Sequence, residues 1–177
     1  MFTVGMHDVS RCYFSLATLV IGVPTAVKIF AWSLGMSATT FHDWTRVCAL
    51  AFIGCFVFGG FTGLVLANAT IDLVFHDTYF VVGHFHYVLS IAAAIGFVIV
   101  FLRFFETVAF FRLRFFFRWF FIALVLFSIN SIFLLQHTTG IEGHPRRVFL
   151  SPEIYVATAC FSNIGIAFLV LLIFNFW

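Results

Sequence analysis

Long apolar stretches alternate with short polar segments along the whole chain. The hydrocarbon core of a bilayer is ~30 Å thick, and a helix needs ~20 mostly apolar residues to cross it. Stretches of this kind predict five transmembrane helices, at residues 14–36, 47–67, 80–105, 115–135 and 154–177, with an extension of the second to residue 75 left open. No repeat or soluble segment separates them, so we expect one all-α membrane domain over residues 1–177.

The composition agrees with this pattern. Hydrophobic residues make up 63% of the chain and charged residues 9%, whereas about a quarter of the residues of a soluble domain are charged. The net charge of +2 gives no reason to expect nucleic-acid binding. The four cysteines form no CxxC pair and are expected to pack as small apolar side chains, with Cys48 and Cys55 on one helix face.

Arginines predict the orientation, because short loops on the inner side of a membrane are enriched in Lys and Arg. Five arginines lie in the loops after the first and third helices, and three lie on the opposite side: Arg46, Arg103, Arg112, Arg114 and Arg118 against Arg11, Arg146 and Arg147. This bias predicts an outer N-terminus and an inner C-terminus. It assigns no further role to the arginine-rich segment 103–118.

Two histidines near the start of the third helix are candidate metal ligands, since ionisable side chains at membrane depth usually mark a functional site. Successive residues of a helix are rotated by about 100°, so His84 and His86 point about 200° apart. They therefore cannot share one metal ion, and as ligands they would serve two centres, such as two haems. The alternative is a pair of histidines hydrogen-bonded within the bundle. We expect Gly83 to leave room for a flat macrocycle.

His76 and Asp77 directly precede this helix. An imidazole and a carboxylate can hold a divalent cation whose other ligands are waters. Alternatively, Asp77 caps the helix by accepting hydrogen bonds from its first N–H groups, and both roles are compatible. Asp72 lies four residues before His76 and is expected to face the same cavity.

Two arginines on the same side of the membrane follow Pro145. Arg146 and Arg147 are either solvated loop charges or partners of carboxylates on a buried cofactor.

Lys28 lies in the middle of the first predicted helix, three residues after Thr25 and four after Pro24. Its ammonium group either extends towards the membrane edge or belongs to a hydrated proton path with Thr25, since desolvation lowers the pKa of a lysine.

Several motifs together resemble subunit I of the haem–copper cytochrome c oxidases. They occur in the order of that family and cover nearly the whole chain: MFTVGM at 1–6, IGVPTAVK at 21–28, GLVLAN at 63–68, HDTYFVVGHFHYVLS at 76–90 and HPRR at 144–147. The resemblance implies that five transmembrane helices of this chain complete a twelve-helix subunit I fold.

The same resemblance implies a role for each candidate residue. His84 is the implied catalytic residue and axial ligand of the high-spin haem, and His86 is an axial ligand of the low-spin haem. The other implied assignments are magnesium for His76 and Asp77, the haem propionate region for Asp72, Arg146 and Arg147, and a proton path for Thr25 and Lys28.

The implied function is part of the catalytic core of cytochrome c oxidase, in which oxygen is reduced to water and protons are translocated. The implied cofactors are two haems of the haem A type, magnesium, and copper bound by ligands from another chain. The implied partners are a chain with the N-terminal part of subunit I, the dicopper subunit, cytochrome c and the lipid bilayer. The 29 phenylalanines and a subunit split between two chains favour the mitochondrial inner membrane over a bacterial plasma membrane.

The chain departs from the family pattern because the copper-binding histidines, their linked tyrosine, and the second low-spin haem ligand have no counterpart in it. The hypothesis that follows is a split subunit whose other piece is a separate polypeptide; a trimmed fragment of one longer chain is the competing explanation. A second functional hypothesis is a non-catalytic subunit for haem scaffolding or assembly. A transporter bundle using Lys28 and Asp72 is a third, but it leaves the opposed histidines unexplained.

Overall fold

The computed structural model describes residues 2–37, 44–108 and 115–174, and these residues are almost wholly helical. The helical segments are α1 (Asp8–Ser37), α2 (Trp44–Ala67), α3 (Ala69–Phe75), α4 (Tyr79–Phe85), a π-helical turn (His86–Ile91), α5 (Ala92–Val108), α6 (Phe115–Ile141), a 3₁₀ turn (Glu153–Tyr155) and α7 (Val156–Phe174). In the described ranges the one extended pairing is an isolated antiparallel bridge between Thr78 and Pro145.

Five of the described segments are long and apolar enough to cross a membrane, which confirms the predicted all-α architecture and number of spans. They are Asp8–Met36, Trp44–Ala67, Tyr79–Val108, Trp119–Ile141 and Glu153–Leu171. The last three residues of the fifth predicted helix, 175–177, lie outside the described residues, as do Arg112 and Arg114 of the arginine-rich segment.

The second span ends at residue 67, so its extension as one continuous helix to residue 75 was wrong. Asn68 separates α2 from α3, and its side-chain Oδ1 accepts a hydrogen bond from the backbone N–H of Thr70 at 3.2 Å. This is an N-cap interaction, which starts a new helix rather than continuing the previous one.

The first and fourth helices extend furthest beyond their predicted bounds. The first starts at Asp8, where an acidic side chain meets the positive end of the helix dipole and lies 3.5 Å from Arg11. The fourth continues to Ile141 because the hydroxyl groups of Thr138 and Thr139 donate to the carbonyl of Leu135, at 2.8 and 3.0 Å. Polar groups satisfied within the helix do not need to end it.

The span Tyr79–Val108 lies between two other helices and carries both candidate haem ligands. α6 packs against α4 on one side and against α7 on the other, whereas α2 packs against the π-helical turn and α5 and also contacts α1. The main core lies where α2, this span and α6 meet, and it contains Trp44, Cys48, Cys55, Tyr87, Ile95, Ile122 and Ile129. Burial of both Cys48 and Cys55 confirms their predicted shared face, and all four cysteines are free thiols.

Candidate functional site

Thr78, and not Asp77, caps the helix that carries the two histidines. The Thr78 backbone is extended, and its hydroxyl oxygen accepts a hydrogen bond from the N–H of Phe80 at 3.3 Å. The predicted alternative in which Asp77 caps this helix was therefore wrong. Both residue types are good N-caps, but Thr78 stands directly before the first helical residue and so leaves the Asp77 carboxylate available for other partners.

His84 faces α2. Its Nδ1 lies 2.9 Å from the carbonyl oxygen of Gly59 and 3.2 Å from the hydroxyl of Thr62. A carbonyl can only accept a hydrogen bond, so Nδ1 is the protonated nitrogen and Nε2 keeps its lone pair. A Cβ atom at Gly63 would lie 2.7 Å from Cε1 of the ring, so the glycine makes room for the imidazole.

His86 faces α6. Its Nδ1 lies 2.7 Å from the carbonyl oxygen of Val82 in the preceding turn. The ring stacks on Phe133 of α6, with centroids 4.6 Å apart and planes 14° from parallel. Here too the backbone contact holds the proton on Nδ1 and leaves Nε2 with its lone pair.

The two imidazoles therefore contact different helices, which confirms the predicted opposition of their side chains. Their predicted ligation of iron stays a prediction. Among the described residues no three histidine, cysteine, aspartate or glutamate side chains are grouped so that they could hold a metal ion. Any metal bound by these side chains therefore needs further ligands from a cofactor, from water or from other segments.

Gly83, the residue directly before His84, makes room for a side chain of α6 and not for a macrocycle. A Cβ atom at Gly83 would lie 2.6 Å from Nδ1 of His137, whose ring fills this space. The expectation that Gly83 leaves room for a flat cofactor was therefore wrong. His137 was not predicted as a site residue; it is a buried residue of α6 that also contacts Phe58, Phe80 and Tyr87 edge-on.

His76 and Asp77 lie together in the turn between α3 and α4. The Nε2 atom of His76 is 3.1 Å from Oδ2 of Asp77, while its Nδ1 is 3.2 Å from the carbonyl oxygens of Asp72 and Leu73. With Nδ1 next to these carbonyls, Nε2 is the ring nitrogen that faces the carboxylate. Either Nε2 donates a proton to Oδ2, or both atoms are acceptors and need a cation between them, and the second arrangement suits a divalent cation site.

Asp72 lies close enough to His76 and Asp77 for both to influence its carboxyl group, and its predicted place in a shared cavity stays a prediction. Burial raises the pKa of its carboxyl group, and the nearby His76 opposes that rise. A carboxyl group in this environment gives up its proton less readily than an exposed one.

Arg146 reaches the same carboxylate from the loop between α6 and α7. Its Nε donates to Oδ1 of Asp77 at 3.1 Å, and its backbone N–H donates to the carbonyl of Asp77 at 2.9 Å. The remaining guanidinium N–H groups stay available for an anionic group. Arg147 is exposed and has a left-handed backbone with φ of 62°, so the two adjacent arginines have different surroundings.

His144, in the loop between α6 and α7, is the middle ring of a three-ring stack that sequence reasoning missed. The imidazole of His144 lies between the rings of Tyr79 and Tyr155, at centroid distances of 4.4 and 4.2 Å and interplanar angles of 18° and 15°. Burial lowers the pKa of His144 and so disfavours the charged form of this ring. The stack joins residues far apart in sequence, so local patterns could not reveal it.

Thr25 and Lys28 lie on α1, away from the histidines. The Thr25 hydroxyl donates to the carbonyl of Ile21 at 3.0 Å. Lys28 is exposed, and its Nζ lies 5.9 Å from the ring centroid of Trp32, within cation–π range. Trp32 in turn contacts Phe52 of α2, at 6.0 Å between centroids.

Comparison with known proteins identifies the class of protein to which this chain belongs. The family model described as Cytochrome C and Quinol oxidase polypeptide I matches residues 1–172. A haem–copper terminal oxidase dimer solved by cryo-EM has a similar fold, with a TM-score of 0.79 and 20% identity over 97% of this chain and 36% of that chain.

Two curated relatives are both cytochrome c oxidase subunit 1. The protein of Candida albicans is 39% identical over 176 residues, which is 93% of this chain and 31% of the relative. The protein of Leishmania tarentolae is 38% identical over 177 residues, which is 98% of this chain and 32% of the relative. The chain belongs to the family of subunit I of the cytochrome c and quinol oxidases and spans about a third of the length of these relatives.

Proposed function

We propose that this chain supplies part of the catalytic core of cytochrome c oxidase, in which oxygen is reduced to water and protons are translocated. The observation that carries the proposal is the pair of imidazoles on one helix. Each commits Nδ1 to a backbone carbonyl, and each faces a different neighbouring helix. His84 is the proposed catalytic residue and axial ligand of the high-spin haem, and His86 is the proposed axial ligand of the low-spin haem.

The residues fit the proposed haems because Nδ1–H donation to a carbonyl fixes both the tautomer and the orientation of a ligating histidine. When bound, the two haems, proposed to be of the haem A type, supply the electron transfer and oxygen chemistry of the site. The contribution of the chain itself is to hold two axial ligands on one short helix, α4 and the start of the π-helical turn. Ligands for the copper are proposed to come from family segments beyond this chain.

At the outer end of the site, His76 and Asp77 are the proposed ligands of a magnesium ion. Asp72, Arg146 and Arg147 are the proposed neighbours of the haem propionates. Arg146 suits this role because a guanidinium has five N–H donors and its Nε serves Asp77. The remaining donors can pair with a second carboxylate.

Thr25 and Lys28 are the proposed proton path. An exposed lysine in the middle of a membrane-spanning helix is costly unless water or an anionic or aromatic partner is present. The Trp32 ring meets part of this need, and a hydrated path would meet the rest.

The proposed partners are the remaining segments of the twelve-helix subunit I fold, the dicopper subunit, cytochrome c and the surrounding lipid. The proposed location is the mitochondrial inner membrane, with an outer N-terminus and a C-terminus on the matrix side. These proposals concern the whole oxidase. This chain spans about one third of the length of the subunit I relatives that it matches.

Alanine substitution of each histidine in the assembled complex tests the proposal. We expect His84→Ala to abolish oxygen reduction while the low-spin haem spectrum survives, and His86→Ala to remove the low-spin spectrum. Reduced-minus-oxidised spectra and oxygen uptake provide the measurements, and His7→Ala, an exposed histidine ahead of α1, is the matched control.

The alternative function is a non-catalytic subunit for haem scaffolding or assembly. Unchanged spectra in both variants would support it and contradict axial ligation. Equal loss of both haem signals in either variant would point to misassembly, and the separate assignment of one haem to each histidine would then fail.

A further inference from the structure

The stack of Tyr79, His144 and Tyr155 lies where three separate parts of the chain meet. Tyr79 begins α4, Tyr155 ends the 3₁₀ turn before α7, and His144 belongs to the loop that follows α6. We call these three rings the aromatic clamp. His144 is 7% exposed, so the clamp is a buried contact and not a surface pairing.

Hydrogen bonds on both sides of the clamp tie the loop to the start of α4. The carbonyl of His144 accepts from the N–H of Tyr79 at 3.0 Å, and the Tyr155 hydroxyl donates to the carbonyl of Glu142 at 3.1 Å. Two residues further on, the N–H of Arg146 donates to the carbonyl of Asp77 at 2.9 Å. The loop and residues 77–79 are thereby paired over a short two-stranded contact.

This pairing sets the position of the Asp77 carboxylate. Oδ1 of Asp77 accepts from Nε of Arg146, so Oδ2 is the atom that faces Nε2 of His76. If the loop moved away from α4, Arg146 would release Oδ1 and the carboxylate would be free to rotate. The side chain of Asp77 is 63% exposed, so packing against neighbouring side chains does not hold it in place.

We propose that His144 is a positioning residue for a divalent cation held by His76 and Asp77. Its flat ring, stacked on both faces, holds the loop between α6 and α7 against the start of α4 and so keeps Arg146 on Asp77. The inference rests on the proposed magnesium site and adds a residue that touches neither ligand. The imidazole acts here through its shape, because both neighbouring rings contact its faces.

Manganese is a suitable probe, because Mn²⁺ takes the same oxygen-rich sites as Mg²⁺ and is paramagnetic. The experiment measures Mn²⁺ affinity of the assembled complex by electron paramagnetic resonance in wild type, His144→Ala, His144→Phe and Asp77→Asn. Residues that orient metal ligands typically change metal affinity 10–100-fold when mutated. We expect about a 10-fold weaker affinity in His144→Ala and less than a 2-fold change in His144→Phe, which keeps a flat ring.

The outcomes separate the inference from the proposed function. Weaker binding in Asp77→Asn together with wild-type binding in His144→Ala would overturn the role of His144 and leave the metal site intact. Unchanged binding in Asp77→Asn would overturn the metal site and the inference together. Equally weak binding in His144→Phe and His144→Ala would overturn positioning by ring stacking.

A second pair of variants serves if His144→Ala fails to assemble. Tyr155→Leu removes one face of the clamp, whereas Tyr155→Phe keeps the ring and loses only the hydroxyl bond to Glu142. We expect weaker Mn²⁺ binding in Tyr155→Leu than in Tyr155→Phe, at equal haem content. Equal affinities in the two variants would contradict the role of the clamp.

Discussion

Helix α1 and the junction of α4 with α6 have similarly apolar sequences but very different surroundings. The membrane-crossing part of α1 has no buried residue, and large side chains such as Val20 and Phe30 are more than 60% exposed. At the junction, backbones approach so closely that only glycine fits: Gly140 lies against the backbone of Phe80, and Gly83 against the ring of His137. Hydropathy therefore locates both segments as spans. Small residues at close contacts distinguish the segment that packs tightly against other helices of this chain.

The difference has a functional consequence. The candidate site residues from His76 to His86, and Arg146, are held by contacts within this chain, so their mutual geometry is largely set here. Thr25 and Lys28 lie on α1, whose other neighbours are proposed to be lipid and the rest of subunit I. Substitutions at the close helix contacts that support the site should accordingly impair assembly, whereas substitutions of Thr25 and Lys28 on α1 should alter turnover.

The largest effect is expected from Gly140→Ala. A Cβ atom there would overlap the backbone N and Cα of Phe80, and a backbone cannot move aside as a flexible side chain can. Overpacking of this kind costs about 1–3 kcal/mol or more, so we expect loss of assembled complex, measured by haem absorbance and thermal unfolding. Gly35→Ala on α1, where nothing lies within 4 Å, is the control; equal effects of the two would remove the contrast between the regions.

Lys28→Met should slow turnover while both haem spectra remain. Loss of a group that transfers protons lowers rates by roughly 10²–10⁴-fold, and a neutral side chain of similar length leaves helix packing unchanged. Oxygen uptake per haem is the measurement. Thr18→Val is the control. Thr18 lies on the same helix and outside the proposed path, and its hydroxyl donates to the carbonyl of Phe14 at 2.8 Å, as that of Thr25 does to Ile21. Normal turnover in Lys28→Met would remove the proposed proton role.

The smallest effect is a pH dependence of the loop between α6 and α7. Burial lowers the pKa of His144 in the folded chain. As the pH falls, the imidazole is therefore protonated at a higher pH in the unfolded chain than in the folded one. The contribution of the neutral His144 ring to the stability of the folded loop is complete above about pH 6.5, the ordinary pKa of histidine. This contribution is lost as the pH falls below that value. We expect amide hydrogen exchange in residues 142–147 to accelerate between pH 7 and pH 5.5 beyond its intrinsic pH dependence. His144→Phe should remove this excess, and an identical excess in that variant would contradict the assignment.

Sequence periodicity was sufficient for the spans and for the opposed histidines. The length of each apolar stretch fixed five crossings, and the 100° rotation per residue put His84 and His86 on different neighbours. Local choices between similar residues were harder: Asp77 and Thr78 are both good caps, and only the backbone shows that Thr78 has the role. Asn68 similarly ended a helix inside an apolar run where composition alone favoured continuation.

Long-range packing could not be predicted from the chain. The ring of His137 in the space at Gly83 depends on how α6 lies against α4, and the aromatic clamp requires the loop after α6 to return to α4. The π-helical turn also depends on such contacts, since the hydroxyl of Tyr87 donates to Oδ1 of Asn130 on α6 at 2.7 Å. Each of these features links residues at least 43 positions apart or depends on two helices meeting.

The π-helical turn His86–Ile91 also limits what a helical wheel can say about this span. A π-helical turn accommodates one more residue than an α-helical turn, which advances everything after it by about 100°. Positions in α5 are thus out of phase with positions in α4, and a single wheel drawn through Tyr79–Val108 would assign lipid-facing and core-facing sides of α5 incorrectly. Deleting one residue of the turn would restore one continuous phase. It would thereby rotate α4, with both imidazoles, relative to α5.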